Sequence, residues 1–307
     1  MIDILMATYN GEKYLRAQLD SILQQTNSDW RLIIRDDCST DETVQIIKEY
    51  GLLQPEKIVF IEAEQPSGSA QNNFFQLLQY STAEYIMFAD QDDIWLKNKI
   101  QLTLDKMHQL EQQFGKDVPL LVHTDLVVVD EKLRMINPSL FNMHNMSAKR
   151  NCISNILVQN IVTGCTMMVN RSLLRLITTI PKHAIMHDMW LALVAAALGQ
   201  IGFINNATIL YRQHGQNVKG ARDMKSLTYM IKKVQQTKEI HVGLLEQYQQ
   251  AAEFLELYGH VLSPPQQQLL QAYSTLEQQP IWKKWQILRH YHLYKKGIVR
   301  QLGQILL

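Results

Sequence analysis

The sequence predicts an α/β protein built on a largely parallel sheet. Strand and helix signals alternate through the first hundred residues, the rhythm of strands joined by crossover helices. The strand signals are short apolar runs, and polar clusters follow several of them, where open parallel sheets bind ligands. With 307 residues, 46% of them hydrophobic and 19% charged, the chain has the composition of a globular protein long enough to bury a core.

Taken in order, "IDILMA" reads as a buried strand. "EKYLRAQLDSILQQ" then sets Leu15, Leu19, Ile22 and Leu23 on one helical face. "RLIIR" is a second strand. In the following "DDCSTDETVQIIKEY", Ser39 with Glu42 three residues on is a capping-box signature ahead of a helix carrying Val44 and Ile47. "KIVFIEA" and "EYIMFAD" are further strands with a short helix near "NNFFQLLQY" between them. "NKIQLTLDKMHQL" is helical through Ile100, Leu104 and Met107. Beyond about residue 118 come a strand-like "PLLVHTDLVVVD", a polar stretch, "GCTMMVN", a helix from about His187, and "ATILYRQH". After Gly220 the chain turns rich in Gln, Leu, Tyr and Lys with helical periodicity. A catalytic domain over 1–220 and a helical region over 221–307 are therefore expected.

The bulk charge narrows the partners. A formal net charge of +1 gives no reason to expect nucleic acid. Cys38, Cys152 and Cys165 are far apart and form no metal spacing, as in a reducing compartment. Met1 leads straight into "IDILMATYN" without a basic leader. The longest apolar run, "MWLALVAAALGQIGFI", is short for a bilayer and holds Gly199, Gln200 and Gly202; a buried helix followed by a strand explains it better. The expected location is cytoplasmic, with any membrane contact peripheral.

Three polar clusters fall at strand ends: "ATYN" at 7–10, "RDDCSTD" at 35–41 and "ADQDD" at 89–93. Asp, Asn, Ser and Thr are ordinary turn and cap residues, so each cluster alone is explained as a loop. At one sheet edge, all three outline one cleft. The third brings Asp90, Asp92 and Asp93 together directly behind an apolar run, a repulsion that a cation would relieve. Mg²⁺ or Mn²⁺ takes oxygen from one or two carboxylates and completes its shell with phosphate and water. A D-x-D spacing therefore points to a nucleotide diphosphate bound through metal. No GxGxxG, GxxxxGK[ST] or GxGTR-type loop occurs, so side chains and a metal, not a glycine cradle, must hold the nucleotide.

"ILMATYNGEKYLRAQLDSILQQT", "RDDCSTDET" and "FADQDDIWLKNKI" together resemble the inverting family-two glycosyltransferases. That family has the type A nucleotide-diphospho-sugar transferase fold, a Rossmann-like, mixed but mainly parallel sheet flanked by helices. The resemblance covers roughly the first 220 residues. "QDDIW", "HDMW" at 187–190 and "YRQHGQNVKG" at 211–220 look most like bacterial rhamnosyltransferases of cell-wall polysaccharide assembly.

Carried over by position, the resemblance implies that Ala7, Tyr9, Asn10 and Asp37 line the nucleotide, with Gln71 and Asp90 beside it. Asp90 and Asp92 match the metal motif, Asp92 the more direct ligand, and His214 matches a late histidine closing over diphosphate or metal. Asp188 matches the catalytic base; on local evidence it is a helix cap. Gln71 lies near where relatives carry Lys or Arg facing the diphosphate, which shifts charge compensation to the metal, Arg212 or Lys219. Gly164 would let an acceptor approach the backbone. His187, Trp95 and Trp190 are further candidates for sugar contact, with core burial as the alternative for the two tryptophans.

The implied reaction is inverting transfer of L-rhamnose from dTDP-L-rhamnose onto a glycan or lipid-linked glycan. A UDP-hexose is the alternative donor. A sugar nucleotidyltransferase or a non-catalytic glycan-binding relative would keep the same layout. The C-terminal "IWKKWQILRHYHLYKKGIVRQLGQILL" carries Lys283, Lys284, Arg289, Lys295, Lys296 and Arg300 and no acidic residue. It reads either as an interfacial helix beside anionic lipid or as a packed helix with a basic outer face.

Overall fold

The apolar runs of the first half become strands because each is covered on both faces. In β1 (Ile2–Thr8), Ile4, Leu5 and Met6 are completely buried, and Ala7 alone breaks the buried run, as expected of an interior parallel strand. The computed structural model describes residues 1–215, 237–296 and 304; Lys219 and Arg300 lie outside the described residues.

Strands β2 (Trp30–Asp36), β3 (Ile58–Glu62) and β4 (Tyr85–Ala89) pair in parallel around β1, in the order β3-β2-β1-β4. The helices α1 (Glu12–Leu23), α2 (Thr43–Leu53) and α3 (Ala70–Leu78) connect them, as the alternation predicts. Beyond β4 the sheet turns mixed. β5 (Ile94–Trp95) is a two-residue strand, and α4 (Lys99–Phe114) leads to the long β6 (Leu120–Val129). β7 (Met135–Asn137) hairpins onto β6; β8 (Met167–Asn170) runs antiparallel between β4 and β6; β9 (Gln200–Arg212) lies parallel to β6 and carries β5 on its other edge. The result is a nine-stranded sheet.

The expected capping box at Ser39 does not form. The helix begins at Thr43 behind Glu42, and the side chain of Asp41 accepts from the Thr43 backbone N–H at 3.0 Å. Ser39 is instead drawn into the loop that follows β2. A capping box does form at Ser263 and Gln266, ahead of the helix Pro264–Ser274.

The chain divides into two compact units. The first holds the whole sheet and comprises Met1–Phe141, Val162–Ile180 and Gly199–Ala221. The second comprises Asn142–Ile161, Pro181–Leu198 and Arg222–Leu307. It is helical among its described residues, with helices Ile153–Val158, His187–Leu198, Thr237–Tyr258, Pro264–Ser274 and Ile281–His290. Two segments expected in the catalytic domain, 142–161 and 181–198, thus belong to the helical unit. The reason is visible in the all-round apolar helix His187–Leu198: Trp190 packs edge-on to Phe254 at 5.4 Å between ring centroids, and Gln266 donates to the Ala197 carbonyl at 2.7 Å.

Candidate active site

Parallel pairing aligns the three polar clusters. Thr8 pairs with Asp36 across β1 and β2, and Met6 pairs with Ala89 across β1 and β4, so the chain leaves all three strands at one edge. The first two turns are tied together by their own side chains. Thr8 Oγ1 donates to Asp36 at 2.8 Å; the Ser39 backbone N–H and hydroxyl donate to the same carboxylate at 2.7 and 2.6 Å. Asn10 accepts from the Thr40 N–H at 2.9 Å, and its own N–H donates to Ser39 Oγ at 2.8 Å. Asn10 (φ 47°) and Cys38 (φ 63°) both lie in the left-handed region, where a non-glycine residue costs roughly 1 kcal/mol or more; the cross-loop hydrogen bonds offset that cost.

Asp37 is buried and fixed from two directions. Arg35 Nη1 donates to it at 3.0 Å, and Ser67 donates through its backbone N–H at 2.6 Å and its hydroxyl at 2.9 Å. Arg35 in turn donates to Asn73 at 2.8 Å. A position implied as a nucleotide contact is therefore held rigidly at the mouth of β2. Gln71 sits in the first turn of α3, half-buried, and Tyr9 is 57% exposed.

Gln91, the middle residue of the D-x-D, was not singled out in the sequence. Its amide spans to Tyr9, accepting from the Tyr9 N–H and donating to the Tyr9 carbonyl, both at 2.9 Å. It lies against Gly11 so closely that a β-carbon there would meet Gln91 Oε1 at 2.4 Å. The acidic turn and the turn after β1 are thereby clamped into one piece.

The carboxylates themselves have unequal surroundings. Asp90 and Asp92 are half-buried, while Asp93 is fully buried. His214 Nε2 lies 2.7 Å from Asp92 Oδ2, so the late histidine is brought onto the metal motif. Its ring packs on Tyr14 at 4.9 Å, and the Arg212 guanidinium lies 4.6 Å from that same Tyr14 ring. Arg212, the cation considered for the diphosphate, is 5% exposed, and its guanidinium donates to the Asp92 and Glu131 carbonyls, each at 2.8 Å. Its backbone N–H donates to Asp93 at 3.1 Å. Burial first, then the charges of Asp92 and Asp90, pushes the Asp93 carboxyl well above the usual carboxylate range. Underneath, Lys99 is buried 4.7 Å from the Trp95 ring, and burial lowers its ammonium to about 8.

The donor set fits a hard divalent cation. Ligand atoms of Asp90, Asp93 and Cys165 lie within 4.8 Å of one another, and Asp92, adjacent in sequence, forms a separate carboxylate–imidazole pair with His214. Oxygen donors with one imidazole suit Mg²⁺ or Mn²⁺. Burial and the neighbouring Asp93 and Asp90 raise the Cys165 thiol, so Cys165 stays protonated and is the poorest ligand of the group.

Asp188, in the helical unit, is the second residue of the helix His187–Leu198 and therefore lies inside its first turn, not ahead of it as a cap. It is half-buried, and Asn160 Nδ2 donates to it at 3.2 Å. That partner lies 28 residues away in sequence, and no local pattern points to it. Trp190 and His187, at 0 and 2% exposure, are core residues of this unit, and Trp95 at 2% is a core residue of the sheet unit. Neither tryptophan offers a face for a sugar. Gly164 is buried in the 3₁₀ turn Gly164–Thr166 ahead of β8.

This fold and this edge define the type A glycosyltransferases. Residues 3–177 match the model of the family described as glycosyl transferase family 2, and the chain belongs to that family. Among curated relatives, it is 30% identical over 221 residues to the dTDP-rhamnosyl transferase RfbG of Shigella flexneri, covering 70% of this chain and 74% of that one. It is 25% identical over 195 residues to the UDP-Glc:alpha-D-GlcNAc-diphosphoundecaprenol beta-1,3-glucosyltransferase WfgD of Escherichia coli, covering 63% and 70%. Among solved structures, the fold is similar to S. aureus TarS 1–349 in complex with UDP-GlcNAc, with a TM-score of 0.54, 16% identity and coverage of 94% and 90%. It is also similar to the mannosyltransferase PcManGT of Pyrobaculum calidifontis in complex with GDP-Man and Mn²⁺, with a TM-score of 0.57, 15% identity and coverage of 98% and 77%. Among the described residues no helix is long and apolar enough to cross a membrane.

Proposed function

We propose that this glycosyltransferase transfers L-rhamnose, with inversion, from dTDP-L-rhamnose to a glycan or lipid-linked glycan in cell-surface polysaccharide synthesis. The carrying observation is that the acidic turn after β4, with Asp92 paired to His214, and the Asp37 turn after β2 leave the same sheet edge in a chain of family 2. The Shigella flexneri relative supports rhamnose as the sugar. The second reading, a UDP-hexose donor, is supported by the Escherichia coli glucosyltransferase, whose diphosphoundecaprenol acceptor also supports a lipid-linked substrate.

In this reading Ala7, Tyr9, Asn10 and Asp37 line the base and ribose. Asp37 keeps its orientation through Arg35 and Ser67, which lowers the ordering cost of donor binding at that loop. Asp90, Asp92 and His214 would hold Mg²⁺ or Mn²⁺, which when bound neutralises charge on the diphosphate. Asp188 accepts the proton of the acceptor hydroxyl as that oxygen attacks the anomeric carbon, and the nucleoside diphosphate departs from the opposite face. Asn160 holds one Asp188 oxygen and so fixes the direction in which the base presents its other lone pairs.

Asp188→Asn tests the assignment. Donor-induced thermal stabilisation should persist while turnover falls by roughly 10²–10⁴-fold; unchanged turnover would remove Asp188 from the mechanism. A thermal-shift panel of dTDP-L-rhamnose, UDP-glucose and UDP-N-acetylglucosamine, each with and without Mn²⁺, tests donor and metal together. Stabilisation by a UDP-sugar alone would replace the rhamnose reading.

A further inference from the structure

We propose that the helix Ile281–His290 is a membrane-surface element that lies flat on anionic lipid. The helix is two-faced in an unusual sense. Leu288 is completely buried and anchors it within its own unit, yet Ile281, Trp282 and Trp285 are 55, 61 and 45% exposed. Spacings of three and four residues put Trp282, Trp285 and Arg289 on one side, with Ile281 one turn ahead of Trp285, and the Arg289 guanidinium lies 5.2 Å from the Trp285 ring. A soluble surface gains nothing from two exposed indoles and an isoleucine side by side. Tryptophan, with an apolar body and a polar N–H, has its natural place at a lipid headgroup boundary.

Charge selects the occupant. Lys283 and Arg289 are exposed on the helix, Lys284 is half-exposed, and no acidic residue follows Glu277 anywhere in the chain. Such a surface repels a second copy of itself and attracts an anionic one. Other exposed apolar neighbours, Leu52 and Leu53 on α2 at 83 and 72% and Met135 and Ile136 on β7 at 66 and 54%, carry no exposed tryptophan. The structure thus favours the interfacial alternative over a helix whose aromatic face is packed away. This inference stands independently of which donor sugar is used.

The test is vesicle binding by the full chain, followed by co-sedimentation and tryptophan fluorescence. Binding to vesicles with 30% phosphatidylserine should exceed binding to pure phosphatidylcholine by tenfold or more, with a blue-shifted emission quenched by brominated acyl chains. Because each basic side chain near an anionic surface contributes roughly a fivefold factor, Lys283→Gln/Lys284→Gln/Arg289→Gln should weaken binding about a hundredfold. Trp282→Ala/Trp285→Ala should weaken it tenfold or more and abolish the quenching. These side chains are largely exposed, and unchanged melting temperatures would show that both variants fold. Absence of wild-type binding, or equal binding by all three proteins, would overturn the proposal. So would a dimer in sedimentation velocity that dissolves only in the tryptophan variant, which would make this face a contact between copies.

Discussion

Asp3 and Asp93 are both completely buried in the sheet unit, one near the start of β1 and the other just past the end of β4, and they could hardly be treated more differently. Asp3 is met by Arg31 at 3.0 and 3.1 Å, by the Ser81 hydroxyl at 2.9 Å, and by the backbone N–H groups of Thr82 and Ala83. Burial opposes its ionisation, yet these partners together hold its carboxyl below the ordinary value. Asp93 has the Arg212 N–H, and two further carboxylates as neighbours, and its carboxyl is pushed the other way. One end of the sheet uses a buried charge to fasten the chain. The other gathers Asp90 and Asp92 beside a buried Asp93, a crowding of carboxylates that a bound cation would relieve.

Substitutions should separate the two ends, the largest effect first. Asp3→Ala leaves Arg31 facing a buried, emptied site and should cost about 3 kcal/mol in urea unfolding; a loss below ~1 kcal/mol would show that the network is ornamental. Asp92→Asn should lower turnover about a hundredfold or more and erase Mn²⁺-dependent stabilisation, with little change in the melting temperature without metal, because the repulsion it relieves beside Asp90 is offset by its weakened contact with His214. Asp93→Asn, measured with chelator, should be neutral or stabilising by up to about 1 kcal/mol; a clear destabilisation would place Asp93 with Asp3 as a fastening charge. The pH dependence sharpens the contrast. Since the folded-state pKa of Asp3 is depressed, its contribution is present above the unfolded carboxylate value near ~3.9 and is lost as pH falls through the folded value. Asp3→Asn should therefore flatten the acid limb of the stability curve; an unchanged limb would contradict the pairing.

Much of this edge could be read from the sequence because its signals are local. An apolar run that stops at "ATYN", "DDCST" or "DQDD" announces both a strand end and its polar load, and the parallel register then brings the three together. What could not be read depends on distant partners. Gln91 is an ordinary turn residue until Tyr9 and Gly11 arrive beside it, and Ser39 looks like a cap until Asp36 and Asn10 claim its hydroxyl. Arg212 follows an apolar run and reads only as a candidate for diphosphate charge, and its hydrogen bonds to the carbonyls of Asp92 and Glu131 come from distant loops. The assignment of 181–198 to the helical unit likewise follows from packing partners such as Phe254, more than sixty residues on.

The clamp between Gln91 and Gly11 limits how such a protein can be re-engineered. Here the amide of Gln91 fills the volume that a β-carbon at position 11 needs, so the two segments are linked through one side chain. A larger residue at position 11 requires the Gln91 amide to swing aside and give up its two hydrogen bonds to Tyr9, which loosens the tie between the acidic turn and the turn after β1.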